Sequence, residues 1–350
     1  MADFVPGAGL ARAFYEEVVA EIIGLREHSA ALIGYGSEVL GFDTERSVDH
    51  GWGPRLQVFV EESEVAGVLA DLEQALPESF HGWRTRFGWD DVAVEHHVEV
   101  ATLAVWLQAR LGVDPTRGLD TRSWLVMPHQ RLAEITTGPV FHDDSGALAA
   151  ARAELGWYPE QVWLWALGCQ WRRIAQEEAF VGRAAEVGDE LGSRILAARI
   201  ARDLVRLCFL MERCYPPYSK WLGAGFARLE SAADVGVALD RALSATTYLE
   251  REAGLADAYR LAGIRHNRLG LTEAVEPQAR SFYGRPYLVS AARDFLGACL
   301  DRVQDPVLRG LAPLGTIDQC ADSTDVLAYP VRAAAAMDGL VRAPDQSWRR

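Results

Sequence analysis

Apolar residues recur along the first third of the chain with two different spacings. Spacings of three and four residues, which put side chains on one face of a helix, alternate with short apolar or alternating runs typical of strands. The pattern predicts helices over residues 9–25, 65–76 and 103–111, and strands over residues 30–34, 56–60 and 92–100. We expect Ser63 to cap the second helix and Gly112 to end the third, since these residue types favour those positions.

Beyond Pro115 the pattern changes, because nearly all periodic segments now have helical spacing and few strand signals remain. Long helical patterns extend over residues 159–181, 189–213, 232–249 and 255–261. The predicted fold class is therefore α+β: an α/β domain with a small mixed sheet over residues 1–120, followed by a helical bundle over residues 121–350. The last residues, from Ala343, are polar and are expected to be loose.

The composition is that of an ordinary globular protein, with 49% hydrophobic and 24% charged residues. A net charge of −14 disfavours nucleic acid as a partner, because a phosphate backbone would be repelled. Neither a signal peptide nor an apolar run of about 18 residues is recognisable, so we expect a cytoplasmic protein without a membrane partner. The sequence does not indicate the oligomeric state.

The five cysteines form no Cys–x–x–Cys pair and no regular framework. Free thiols, most of them buried, are the usual outcome in a reducing compartment. The chain also lacks a His–Glu–x–x–His motif and any sequence cluster of histidine and cysteine, so no zinc site is predicted.

Lysine is almost absent from the chain. Lys220 is the single lysine among 35 basic residues, and the other 34 are arginines. Arginine replaces lysine at little cost on most of a surface, but the two are not interchangeable where a phosphate is held by a compact ammonium. The one surviving lysine is therefore a candidate phosphate contact, with chance as the alternative.

A glycine-rich turn, Gly34–Tyr35–Gly36–Ser37, follows the first predicted strand. It is compatible with a dinucleotide-binding turn, for which Glu61 lies at a suitable distance, but that motif needs a helix directly after the glycines. The residues that follow have no helical period and include Gly51, Gly53 and Pro54. A Walker loop is excluded because no Gly–Lys–Ser/Thr is present. A purely structural turn is a further alternative.

The spacing after this turn resembles the polymerase-β-like nucleotidyltransferase superfamily. Gly36–Ser37 is followed, after eleven residues, by Asp49 before the second predicted strand, as in the Gly–Ser, then Asp–x–Asp/Glu signature of that superfamily. The resemblance implies that the Gly–Ser turn admits a triphosphate and that carboxylates from two adjacent strands hold Mg²⁺. Hard oxygen ligands suit Mg²⁺, and divalent ions neutralise the attacking and leaving oxygens of phosphoryl transfer.

A closer resemblance extends over nearly the whole chain. The segments GSEVLGFDTERSVDHGWGPR, EEAFVGRAAEVGDELGS, YPPYSKWLG, HNRLGLTE and SFYGRP resemble a family of bacterial proteins with a nucleotidyltransferase-like domain and no known function. The signature of that family reads Asp–His–Asp–Trp–Gly–Pro–Arg, whereas this chain has Gly51 in place of the second aspartate. The metal pair that the resemblance implies is therefore incomplete at Gly51.

Two other acids are candidates to complete the metal site beside Asp49. Asp43 lies in the loop before Asp49, and Glu99 lies on the third predicted strand, where the superfamily commonly has its third carboxylate. Glu99 and Glu95 share one face of that strand with His97, and Glu95 is the second choice. We expect Asp49, Asp43 and Glu99 to be the catalytic metal ligands; solvated strand glutamates are the alternative.

The resemblance also assigns residues to the nucleotide. Gly36 and Ser37 are expected at the phosphates, and Arg55 is a further phosphate candidate because its planar fork matches phosphate oxygens. In aminoglycoside-type nucleotidyltransferases a helical bundle closes the cleft and contributes a lysine, often after a serine. Ser219–Lys220 is similar to that context, so both residues are expected to bind the nucleotide.

Candidates for the acceptor side come from the helical part. Glu177 and Glu178 follow an apolar, Trp-rich segment, and adjacent carboxylates can orient or deprotonate an acceptor hydroxyl. An exposed helix face paired with nearby arginines is the alternative. His266, Asn267 and Arg285 lie in segments bounded by Gly and Pro and are candidates for the substrate cleft.

The sequence thus predicts a nucleotidyltransferase-like enzyme that moves a nucleoside monophosphate from an NTP to the hydroxyl of a small-molecule acceptor, with Mg²⁺ as cofactor. The alternative is a catalytically weak nucleotide-binding or regulatory protein that lost its second metal carboxylate at Gly51. Three acids converging on one cleft would favour the enzyme, and one acid alone would favour the binding protein.

Overall fold

The computed structural model describes residues 4–341. Within that range the chain forms two compact units, each discontinuous in sequence. The first contains the chain up to Leu119 together with Gln130–Gly156, and the second contains Asp120–His129 together with the chain from Trp157 onward. The loose tail expected from Ala343 lies outside the described residues.

The first unit contains a five-stranded mixed sheet. The strands of this unit are β1 (Ser29–Ala31), β2 (Arg55–Phe59), β3 (Ser79–Phe80), β4 (Trp83–Arg84), β5 (Arg86–Trp89), β6 (Val92–Ala101) and β7 (Val140–Asp143). The sheet has the order β5-β6-β2-β1-β7, and β3 and β4 pair separately. Strand β1 is antiparallel to β2, and β2 is parallel to β6. The C-terminal end of β1 and the N-terminal ends of β2 and β6 therefore point in the same direction along the sheet.

Helices cover one face of this sheet with apolar side chains. The first helices are α1 (Gly7–Phe14), α2 (Ala20–Ile23), α3 (Glu62–Ala75), α4 (Leu103–Leu111), α5 (Thr121–Val126, in the second unit), α6 (His129–Thr136) and α7 (Ala147–Leu155). A π-helical turn, Tyr15–Val19, joins α1 to α2. Leu10 and Phe14 of α1, Leu72 of α3 and Val58 of β2 belong to one buried cluster. Burial of such side chains, at about 1.5–3 kcal/mol each, is the main force that holds these elements together.

Of the two predicted helix-capping residues, Gly112 is confirmed and Ser63 is wrong. The helix over residues 103–111 is confirmed as α4, and it ends at Gly112, whose φ of 77° is the left-handed conformation that glycine adopts easily. The expected cap at Ser63 is wrong. Helix α3 begins one residue earlier, with Glu61 in extended conformation at the N-cap, and Ser63 lies inside its first turn.

The second unit is almost entirely helical within the described residues. Its remaining helices are α8 (Glu160–Glu186), α9 (Glu190–Met211), α10 (Leu222–Phe226), α11 (Val235–Ser244), α12 (Tyr248–Arg268), α13 (Ala292–Arg302), α14 (Pro306–Arg309), α15 (Ile317–Cys320), α16 (Thr324–Leu327) and α17 (Pro330–Val341). One short hairpin pairs β8 (Arg280–Ser281) with β9 (Leu288–Val289). Helix α8 packs against α9 and α13, and Trp171 of α8 stacks on Phe295 of α13 with ring centroids 4.4 Å apart.

The α+β fold class is confirmed, but some elements differ from the sequence pattern. The helical pattern over residues 232–249 is interrupted, because Thr247 forms a capping box with Glu250 and starts the separate helix α12. Residues 130–156, which the sequence analysis assigned to the helical part, supply β7 and α7 to the first unit. All five cysteines are free, and no helix in residues 4–341 is long and apolar enough to cross a membrane.

Candidate functional site

The glycine turn follows β1 and is held in conformations that favour glycine. Gly34 has φ 90° and Gly36 has φ 124°. A Cβ atom on Gly36 would lie 2.2 Å from Nη2 of Arg55 and 2.6 Å from Oε2 of Glu38, which is too close for any side chain. The α-helix that a dinucleotide-binding turn needs does not follow; the next helical element is the 3₁₀ helix Glu45–Asp49. The structure therefore excludes the dinucleotide interpretation.

Arg55 lies beneath this turn. Its side chain is 1% exposed, and its Nε and Nη2 donate to Oε1 of Glu38 at 2.8 and 2.5 Å. Nη2 also donates to the carbonyl of Tyr35, and the guanidinium lies 4.4 Å from the centre of the Tyr35 ring. Arg55 thus fastens the turn to the start of β2, and its donors are directed at protein groups. Arg55, which was expected to contact a phosphate, therefore has a structural role instead.

Ser37 is half-buried in the same turn, where its carbonyl accepts a hydrogen bond of 2.8 Å from the backbone N–H of Phe42. Its position directly after Gly36 is the one expected for a phosphate-binding serine. Whether Ser37 contacts a nucleotide stays a prediction.

Asp49 and Gly51 lie on the loop that leads into β2. Asp49 is exposed, and its Oδ1 lies 3.0 Å from Nδ1 of His50. Gly51 has φ 65°, and a Cβ atom there would make ordinary contacts with Trp89 at 3.6 Å and Tyr35 at 3.8 Å. The loop borders an open cleft of about 260 Å³, lined by residues 48–54, Gly82–Arg84, Phe87 and Gly88. Asp49 is therefore accessible from solvent at this cleft.

Asp43 is occupied elsewhere. Its Oδ2 accepts hydrogen bonds from the backbone N–H of Gly7 at 2.7 Å and from Nε1 of Trp52 at 3.3 Å. Gly7 is the first residue of α1, where unpaired N–H groups and the positive end of the helix dipole favour a carboxylate. Asp43 thus stabilises the start of α1, and this oxygen is not free for a metal ion.

Glu99 lies on β6, directly across from Gln57 of β2. Its carboxylate accepts from Nε1 of Trp106 at 2.7 Å and from Nη2 of Arg110 at 3.0 and 3.1 Å. Trp106 and Arg110 are four residues apart on α4, so they present their donors from one face of that helix. Neither residue was predicted from the sequence, although their helical spacing was visible. Their donors compete with any metal ion for Glu99.

Glu95 lies closer than Glu99 to the loop of Asp49. His97 pairs with Arg55, the first residue of β2, and Glu95 precedes His97 by two residues on the same strand. Glu95 is exposed, whereas His97 is buried and its Nε2 lies 2.8 Å from the carbonyl oxygen of Phe87. Glu95, the second choice for the third carboxylate, is therefore better placed along β6 than Glu99 to act together with Asp49.

These groups share one surface of the first unit. The rings of Tyr35 and Trp89 lie 6.3 Å apart, and Trp89 lies 4.9 Å from His97. Arg110, which binds Glu99, lies 5.9 Å from the Tyr35 ring. The glycine turn, Gly51 and Glu99 are thus connected through half-buried aromatic rings, and such rings can stack on a nucleobase.

Ser219 and Lys220 lie in the second unit, in the segment between α9 and α10. Both side chains are exposed, and Nζ of Lys220 lies 4.9 Å from the ring centre of Trp221. The ammonium is not buried in an ion pair, so it is available to a solute. Its role at the phosphates stays a prediction.

Glu177 and Glu178 lie inside α8 and have different environments. Glu177 pairs with Nε of Arg199 at 2.8 Å. Glu178 is buried, and its Oε2 accepts from the backbone N–H of Ser290 at 2.7 Å. Burial raises the pKa of Glu178 to about 7, and the Ser290 hydrogen bond partly opposes this shift. The alternative of a pairing with arginines holds for Glu177, but its partner is Arg199 of α9 and not an arginine one turn earlier on α8.

The remaining substrate candidates have structural contacts. His266 is 1% exposed, its Nδ1 accepts from Nε1 of Trp171 at 3.1 Å, and burial lowers its pKa to about 4. Asn267 makes two hydrogen bonds to the backbone of Val275, at 2.7 and 3.0 Å. Arg285 is half-exposed and lies 3.7 Å from Glu186. His266 is thus a core histidine, and Asn267 fastens the loop after α12.

Residues 124–222 match a protein family described as a domain of unknown function (DUF4037). The resemblance expected from the sequence is confirmed there, and the DUF4037 segment contains Glu177, Glu178, Ser219 and Lys220. The glycine turn and Asp49 lie outside it.

A solved structure with detectable similarity is a nucleotidyltransferase-like protein from Exiguobacterium sibiricum 255-15. The two chains are 12% identical with a TM-score of 0.34, and the match covers 84% of this chain and 89% of that chain. No curated protein matches the chain.

Proposed function

We propose that this protein is a nucleotidyltransferase-like nucleotide-binding protein in which binding is retained and nucleotidyl transfer is weak. The proposal rests on the contacts of the acids that were expected to bind Mg²⁺. Asp43 binds the start of α1, Glu99 is held by Arg110 and Trp106, and Gly51 has no carboxylate. Of the three acids expected as metal ligands, Asp49 alone is exposed and lines the cleft.

This donor set does not fit the metal pair of an active nucleotidyltransferase. Mg²⁺ is commonly held by one or two carboxylates together with substrate phosphates, so Asp49 and a triphosphate suffice for binding. In-line transfer uses ions at both the attacking and the leaving oxygen, and that needs more than one free carboxylate. The same residues therefore support binding better than turnover.

The nucleotide site that we propose lies on the surface of the first unit around the glycine turn. Ser37 directly follows these left-handed glycines, at the position expected for a phosphate contact, and Tyr35 and Trp89 offer half-exposed rings for the base. Arg110 adds a cation that is only partly neutralised by Glu99, which itself is one-third exposed. Lys220 is assigned to the phosphates by the sequence resemblance.

Transfer of a nucleoside monophosphate to a small-molecule hydroxyl, with Mg²⁺, is the second candidate function. It is favoured by the location of Glu99 and Glu95 on β6, next to the strand that follows Asp49. It requires Arg110 to release Glu99 or Glu95 to act in its place.

Restoring the missing acid tests this proposal. Gly51→Asp has room, because the nearest atom to its Cβ is 3.6 Å away, and Asp tolerates a φ of 65° better than most residues. The matched control is Gly51→Asn, which has the same shape and the same backbone tolerance without the charge. Calorimetric titration of an NTP with and without Mg²⁺ measures binding, and pyrophosphate release measures transfer.

We expect wild type to bind an NTP, with little pyrophosphate release. Gly51→Asp should bind the Mg²⁺–NTP complex about tenfold more tightly than Gly51→Asn, as expected for one added charge-assisted contact. No NTP binding by folded wild type would refute the proposal. Rapid pyrophosphate release by wild type would favour the second candidate.

A further inference from the structure

A cluster of two histidines and one aspartate lies at the edge of the sheet formed by β1 and β7. Ser29 of β1 pairs with Asp143 of β7, and Ala30 pairs with His142. His28 and Asp144 are the next residues outward, and the N–H of Asp144 donates to the carbonyl of His28 at 3.1 Å. Side chains two residues apart on a strand share a face, so this register itself brings His28, His142 and Asp144 together.

The side chains in this cluster are within ligand distance of one another. One donor atom from each of His28, His142 and Asp144 lies within 4.8 Å of the other two. Nε2 of His142 lies 2.7 Å from Oδ1 of Asp144, and Nδ1 of His28 lies 3.7 Å from its Oδ2. The two imidazole rings are stacked with centroids 4.4 Å apart. His28 is buried, whereas His142 and Asp144 are about one-third exposed, so the cluster is open on one side.

Neighbouring groups already hold the ligands in place. The hydroxyl of Tyr15 lies 2.9 Å from Nε2 of His28, and the carbonyl oxygen of Arg26 lies 2.8 Å from its Nδ1. Oδ2 of Asp144 accepts from the backbone N–H of His28 at 3.0 Å. Tyr15 begins the π-helical turn between α1 and α2, a distortion that often occurs at functional sites. Such outer contacts orient ligands in metal sites.

We propose that His28, His142 and Asp144 bind a divalent transition metal ion, with Zn²⁺ as the best fit. Imidazole nitrogens together with one carboxylate are a typical zinc donor set, and Mg²⁺ prefers oxygen ligands alone. Nδ1 is the nitrogen of His28 nearest to Asp144, so it is the ligand atom. Binding of the ion at Nδ1 replaces the hydrogen bond between this nitrogen and the carbonyl oxygen of Arg26. The ring then donates from Nε2 to the hydroxyl oxygen of Tyr15, which is the outer contact that orients it.

This metal site is separate from the proposed nucleotide site. His28 precedes β1 and Gly34 follows it, six steps along the chain, which at 3.3 Å per step is up to about 20 Å. The ion would join two strands whose ligands are more than a hundred residues apart in sequence. A ligand that binds only the folded state stabilises it, so Zn²⁺ should raise the melting temperature.

The test is titration of the metal-free full-length protein with Zn²⁺, with Mg²⁺ as the comparison ion. The ligand variants are His142→Ala and Asp144→Asn, both at partly exposed positions. The matched control is His81→Ala, because His81 also lies beside a carboxylate, with its Nε2 3.2 Å from Oε2 of Glu17, outside the cluster. Co²⁺ absorption in the visible range gives a second readout of histidine coordination.

We expect one Zn²⁺ per chain in wild type and in His81→Ala, no comparable Mg²⁺ binding, and a zinc-dependent rise in melting temperature. Loss of an outer contact costs metal sites 10–100-fold in affinity, so loss of a ligand should weaken Zn²⁺ binding by at least about tenfold. Tyr15→Phe, which keeps the ring and removes the hydroxyl, should weaken it by about tenfold. Absence of Zn²⁺ binding in wild type, or equal affinity in wild type, His142→Ala and Asp144→Asn, would overturn the proposal.

Discussion

At the scale of single residues, Arg55 and Glu38 form an ion pair in which both side chains are almost fully buried. Removing either partner would leave an uncompensated buried charge, at a cost of about 3–5 kcal/mol. An arginine in this environment shapes a site without contacting the ligand. Of the two cations predicted at the phosphates, Arg55 and Lys220, only Lys220 is exposed.

Lys220 should matter to nucleotide affinity through its shape as well as its charge. We expect Lys220→Arg to keep the fold and weaken NTP binding, because a guanidinium needs a different pocket from a compact ammonium. Lys220→Ala should weaken it at least as much, by about tenfold. Calorimetric titration of an NTP measures both, with melting temperature as the folding control and Arg309→Ala as an exposed cation elsewhere in the second unit. Equal affinity in all four proteins would show that Lys220 has no such role.

Glu178 should make stability depend on pH. Its pKa in the folded protein is about 7, above the ordinary 4.5, so the folded state holds this proton more tightly than the unfolded state does. The resulting stabilisation is complete below about pH 4.5 and is lost as the pH rises to about 7. Glu178→Gln should reduce the fall in unfolding free energy between pH 5 and pH 8 by about 2 kcal/mol.

Urea unfolding of wild type and Glu178→Gln at the two pH values measures this difference. The glutamine can still accept the hydrogen bond from Ser290, so a general loss of packing is not expected. The same pH dependence in both proteins would mean that Glu178 is ionised in the fold throughout this range.

At the scale of elements, the glycine turn after β1 depends on the absence of side chains. Gly36 combines a φ of 124° with a Cβ position 2.2 Å from the buried guanidinium of Arg55. Any side chain there must displace the ion pair that holds the turn to β2. The conformation of the turn and the buried pair beneath it are thus one structural unit.

Gly36→Ala should destabilise the protein by about 2 kcal/mol or more, through backbone strain and displacement of the buried pair. Gly9→Ala in α1 is the matched control, because a Cβ there meets nothing within 4 Å. It should be neutral or stabilise by about 0.5–1 kcal/mol, since alanine has the higher helix propensity. Urea unfolding measures both changes. A Gly36→Ala variant as stable as wild type would contradict this account of the turn.

At the scale of the whole molecule, the first unit is completed by chain that lies beyond its expected end. Strand β7 pairs with β1, the N–H of Leu32 donates to Pro139 at 2.9 Å, and the N–H of Gly34 donates to Glu134 at 3.0 Å. Residues 130–156 thus cover the edge of β1 and support the glycine turn. A fragment that ends near residue 120 lacks this strand.

A fragment of residues 1–120 should therefore not fold cooperatively, whereas a fragment of residues 1–156 should. Without β7 the sheet loses its outer strand and exposes the backbone of β1, which is unfavourable in water and prone to aggregation. Circular dichroism during urea unfolding distinguishes the two fragments. Cooperative unfolding of 1–120 at the same midpoint as 1–156 would show that β7 is dispensable.

Local sequence determined many of the elements and the turn. Apolar spacing predicted α4 and α9 to within a few residues, because these helices present one apolar face to a core. It also predicted the start of α8, which extends five residues beyond its predicted end. The glycine turn was recognisable because only glycine reaches such φ values without strain. The resemblance to the family signature was enough to predict a missing acid at Gly51, since that comparison needs no contacts.

Only the tertiary structure decided which charges are free and which histidines meet. Glu99 and Arg110 pair because β6 leads directly into α4, and Asp43 reaches the first turn of α1 across 36 residues. His28 and His142 lie on one face because the register of β1 and β7 brings them there. Strand pairing between distant segments follows from the packing of the whole unit, and no local spacing encodes it. No zinc site was therefore predicted from the sequence, although the folded chain brings together two histidines and an aspartate.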